Sequence, residues 1–94
     1  MPHELETAFD AALAQIERLL ATEMKTMDGA PALPHLEKLE KELKRERVDA
    51  LGRGSVDREW FQKTVRWLVE WVPEDDVTLV AALGRIVRAV PPAV

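Results

Sequence analysis

Residues 56–72 constrain the fold more than any other stretch of this 94-residue chain. At the helical period, Trp60, Thr64, Trp67 and Trp71 fall on one stripe, extended backwards by Val56. Phe61, Val65, Leu68 and Val72 form a second stripe, and Val69 widens it. Only Glu59, Gln62, Lys63, Arg66 and Glu70 hold a polar strip. The apolar arc spans roughly 220°, against the ~100° that one core face takes. A helix of this kind must be covered on two sides, so at least two other elements are expected to pack on it.

Gly and Pro divide the chain into four segments, each reading as a helix. The first is expected over 4–28. Leu5, Phe9, Ala12, Leu13, Ile16, Leu19, Leu20, Met24 and Met27 share one face, and Arg18, Thr22, Glu23 and Lys25 the other. Asp28-Gly29 would stop it. The second is expected over 34–51, with Pro34 at its first position, where no N–H donor is needed. Its seam of Leu36, Leu39, Leu43 and Ala50 is narrow, with Arg47 on the same line, so it should lie at the periphery.

The third helix, over 56–72, is expected to take Ser55 as N-cap after Gly52 has capped the second. Pro73 ends it. The fourth is expected over 75–90, with Asp75 or Asp76 as N-cap. Leu79, Val80, Leu83, Ile86, Val87 and Val90 face inward, and Thr78, Arg85 and Arg88 outward. Gly84 costs about 1 kcal/mol against Ala in mid-helix, which suggests a close helix–helix approach. Short connections between four helices favour an all-α, antiparallel four-helix bundle, a single domain over 1–94.

Composition removes much chemistry. With no Cys, disulfides, thiolate zinc sites, iron–sulfur clusters and Cys nucleophiles are excluded. The two histidines, His3 and His35, form no HxxxH and no Glu-x-x-His, so neither a zinc nor a di-iron pattern is present. No Arg is followed four to six residues later by His, the signature of small helical ribonucleases. Gly52-Arg53-Gly54-Ser55 lacks the spacing, the Lys and the preceding strand of a phosphate loop. Glu74-Asp75-Asp76 is explained by a helix start rather than by acid catalysis or calcium. No cofactor, metal or catalytic residue is expected.

The net charge of −4 is concentrated in residues 1–34, which carry six acids and two bases. There is no domain-wide basic field, and the bases at Lys41, Lys44, Arg45 and Arg47 are interleaved with glutamates, which disfavours a nucleic-acid-binding regulator. No apolar run approaches the ~20 residues that span a bilayer. The start carries no cationic leader. A soluble, cytoplasmic protein with no membrane partner is the expectation.

The functional signal that remains is association. The plainer reading makes the tryptophans core filler, with the third helix central between its neighbours. The sharper one leaves Trp60, Thr64, Trp67 and Trp71 as a partner interface, because Trp is enriched at interface hot spots and the second helix is too narrow to cover much. The sequence therefore points to a non-enzymatic helical interaction or regulatory module that self-associates, most simply as a homodimer. The alternative is a ligand-binding or enzymatic bundle with a pocket near Arg47, Arg66 and Glu70.

Overall fold

The computed structural model describes residues 3–22, 25–26, 28–73 and 77–89. Four helices form in chain order: α1 (His3–Leu20), α2 (Leu33–Arg53), α3 (Arg58–Trp71) and α4 (Thr78–Arg88). No strand is present among the described residues. The expected all-α bundle is the architecture found.

Side-chain pairings give each neighbour its direction. Arg47, late in α2, reaches Glu6 and Asp10, early in α1. Gln15, late in α1, donates to Thr78 Oγ1 at the start of α4, 3.0 Å away. Arg58 and Arg88, from the start of α3 and the end of α4, line one groove. Each of these pairs is thus antiparallel.

The centre of the bundle differs from expectation. The backbone of α1, not of α3, packs closely on two neighbours, α2 and α4, while α3 approaches α4 alone. The reason is side-chain size. α1 presents Ala8 and Ala12 among its fully covered residues, and small residues let helices come together. α3 presents Trp67 and Trp71 towards α2, and these rings hold the two backbones apart. The core joins Leu5, Phe9 and Ile16 of α1 to Leu36, Leu39 and Leu43 of α2, Phe61 and Leu68 of α3, and Leu79, Leu83 and Ile86 of α4.

Helix ends depart from the expected bounds for local reasons. α1 stops at Leu20 rather than 28. The Thr22 hydroxyl donates to the Leu19 carbonyl at 2.7 Å, and the Thr22 N–H turns to the same oxygen, so the last turn tightens and the ladder ends. The chain then folds back on itself: Thr26 N–H donates to Ala30, Gly29 N–H donates to Thr26, and Lys25 bridges Pro31. Gly29 takes φ +85°, the left-handed region a side chain would resist. Met24 and Met27 lie outside the described residues.

α2 begins at Leu33, one residue before Pro34, and continues two residues past 51. Gly54, not Gly52, is the left-handed residue that closes it, with its N–H on the Ala50 carbonyl. α3 is capped by Asp57 rather than Ser55: the Asp57 carboxylate accepts the Trp60 N–H at 3.1 Å, and its charge suits the positive helix end. Val72 is extended before Pro73, as that position demands. α4 begins at Thr78; Asp75, Asp76 and Val90 lie outside the described residues.

Candidate interaction surface on the third helix

α3 is covered on two sides, as its arc requires, by different means. Its second stripe enters the core, with Phe61 and Leu68 fully buried and Phe61 edge-on to Phe9 of α1 at 6.1 Å. Val69, expected to widen this stripe, is instead 54% exposed. At the helical period Val69 stands at the outer edge of this stripe, beside exposed Gln62 and Arg66.

The Trp stripe meets the first turns of α2. The His35 imidazole stacks on the Trp71 indole, with centroids 4.8 Å apart and planes within 23°. Its edge meets Trp67 at 5.6 Å, and Trp67 meets Trp71 at 5.3 Å. Lys38 Nζ stands 5.4 Å from the Trp67 ring centre, within cation–π range. His35 and Lys38, which flank the narrow α2 seam, therefore cover the stripe alongside the buried cluster that its leucines share with Trp71.

Coverage along the stripe is uneven. Thr64 and Trp71 are buried, while Trp60 and Trp67 are half-buried. Trp60 lies against Phe61, 4.9 Å away, and keeps part of its ring in solvent. The Trp71 indole Nε1–H is buried with no acceptor among the described residues, an orphan donor of a kind that costs about 1–3 kcal/mol.

The residues of the alternative pocket have separate engagements. Arg47 donates to Asp10 at 3.0 Å and to Glu6 at 3.2 Å, clamping α2 to α1. Arg66 lines a groove of about 600 Å³ between α3 and α4, in which neither Arg47 nor Glu70 takes part. The floor of that groove is Phe61, Val65, Leu83 and Val87. Gly84 also lines it, and no neighbouring helix comes near: a Cβ there would meet only the Arg88 guanidinium, at 3.3 Å. The close helix approach expected at Gly84 is absent because the glycine faces this open groove.

One residue was missed by the reading of the sequence. Glu46 is buried in the α2 seam. The buried set of 36, 39, 43, 46 and 50 follows a strict three–four spacing, which was the available signal. Burial, with Asp57 and Asp49 adding like charge, raises the Glu46 carboxyl above its usual range, against a smaller opposing pull from Arg53 and Arg45.

No group of three or more metal-ligating side chains converges among the described residues. No helix among the described residues is long and apolar enough to cross a membrane. Comparison with protein-family models, with curated proteins and with solved structures found no match for this chain.

Proposed function

We propose that this protein is a non-enzymatic helical interaction module that self-associates through the Trp-rich face of α3. One observation carries the reading: with the bundle closed, Trp60 and Trp67 are still not fully covered, unlike Thr64 and Trp71 on the same stripe. Trp is enriched at the energetic centres of interfaces, and covering the remaining parts of two such rings favours a partner on this face. Thr64 and Trp71 support that face from beneath rather than touching the partner. A second copy is the simplest occupant, because a two-fold pairing covers the same patch twice. A stable pairing needs about 600 Å² or more from each partner. That is roughly a tenth of the 6161 Å² surface of one chain, so it must take in the neighbouring α2 residues as well.

Sedimentation velocity tests the reading. The expected result is a dimer at about 100 μM that dissociates in a Trp60→Arg variant with unchanged helicity. A monomer at that concentration for the parent chain rejects it.

A further inference from the structure

We propose that the groove between α3 and α4 docks an acidic amphipathic helix from a partner protein. The proposal rests on the reading of the chain as an interaction module but uses another surface, since the groove lies on the side of α3 turned away from the Trp stripe. Three arginines line it: Arg58 and Arg66 on α3 and Arg88 on α4. All three are exposed, and none has a carboxylate within ion-pairing distance among the described residues. No acidic residue lines the groove among the described residues. A trough whose accessible apolar lining is Val65 and Val87, fringed by Gln62 and the three arginines, is complementary to an apolar stripe fringed by carboxylates.

The geometry selects a helix. The groove runs between two antiparallel helices and is open along its length, so a small ligand would not be enclosed as such ligands usually are. A helix laid in a groove needs only one apolar face covered. Its floor also runs on beyond the covered part: Val69, one turn past Val65 on α3, is 54% exposed and offers a further apolar contact. Arg58 and Arg66 are eight residues apart, a rise of about 12 Å. A docked helix would match them with carboxylates seven or eight residues apart. A nucleic acid fits less well, because the floor's one aromatic ring, Phe61, is only 2% exposed and offers no face for a base to stack on.

Titration of the full chain with a labelled amphipathic helix of about 15 residues tests this, using one leucine stripe flanked by glutamates and a control with lysines in their place. The expected result is micromolar binding of the glutamate peptide, weakened by salt, with at least ~10-fold weaker binding of the lysine peptide. Arg66→Glu/Arg88→Glu should reverse that preference, and Arg66→Gln/Arg88→Gln, a milder change at the same exposed sites, should abolish it. Equal binding of the two peptides, or binding of neither, overturns the proposal. So does capture of anionic phosphatidylglycerol vesicles, lost in the glutamine variant, by a chain that ignores the glutamate peptide. Sedimentation of the same variants should match the parent chain, so failure here is distinct from failure of self-association.

Discussion

The imidazole of His35 stacks on the indole of Trp71, centroids 4.8 Å apart, and joins the first turn of α2 to the last turn of α3. These helices make no close backbone approach, so rings carry much of their contact. An aromatic pair adds about 0.5–1.5 kcal/mol beyond its buried area, and His35 makes two. His35→Ala is expected to cost about 1–3 kcal/mol in urea unfolding and to shift tryptophan emission to the red. An unchanged midpoint and spectrum would show that the stack contributes nothing.

Trp71 separates ring burial from its polar handle. Trp71→Ala should cost about 3–5 kcal/mol, as for a buried aromatic. Trp71→Phe removes the orphan N–H together with part of the ring, and the two effects oppose each other. Its cost should stay below about 1.5 kcal/mol by chemical denaturation. A loss matching that of alanine would mean that the N–H has an acceptor after all.

Glu46 gives a pH dependence with a definite sign. Its carboxyl is raised in the folded state, so the native chain holds this proton more tightly than the unfolded chain. The resulting stabilisation is complete below the unfolded value and is lost as pH rises through the raised folded value. Glu46→Gln, which cannot ionise, should therefore melt at a higher temperature than the parent at pH 7. The two should converge at pH 3. A gap of the same size at both pH values would place the cause elsewhere.

Arg47 clamps α2 to α1 through two carboxylates that are half-exposed, beside a guanidinium that is largely covered. Arg47→Ala should cost about 1 kcal/mol, combining modest ion pairs with the packing of the side-chain stem. In a domain of this size that lowers Tm by about 4–8 °C. A double-mutant cycle with Asp10→Asn should give a positive coupling that shrinks in high salt; zero coupling at low salt would reject the clamp.

Gly84 should be replaceable. A Cβ there meets only the mobile end of Arg88, so Gly84→Ala should gain about 0.5–1 kcal/mol from helix propensity. Thermal melting reads this directly, and destabilisation would point to a contact at the groove.

The four helices were legible because Gly and Pro stop each apolar pattern and the 3.6-residue period survives between the stops. Most of the buried set of α1 and α4 follows from that period alone. Helix ends were less legible. Asp57 and Ser55 are both good caps, and only the backbone path out of Gly54 decides between them. The end of α1 turned on one hydroxyl, Thr22, whose bond to Leu19 competes with the helix.

The sequence by itself determined that α3 must be covered on two sides, because its apolar arc exceeds one face. Only the tertiary structure decided what covers each side. Small residues drew α1 into the centre, and large rings kept α3 at a distance from α2. His35 and Lys38, which no apolar pattern marks, came to cover Trp67 and Trp71. The groove beside Arg66 and Arg88 is likewise set by where α4 lies along α3. Periodicity within a helix fixes which residues share a face. How far apart two faces sit depends on the volumes that meet between them.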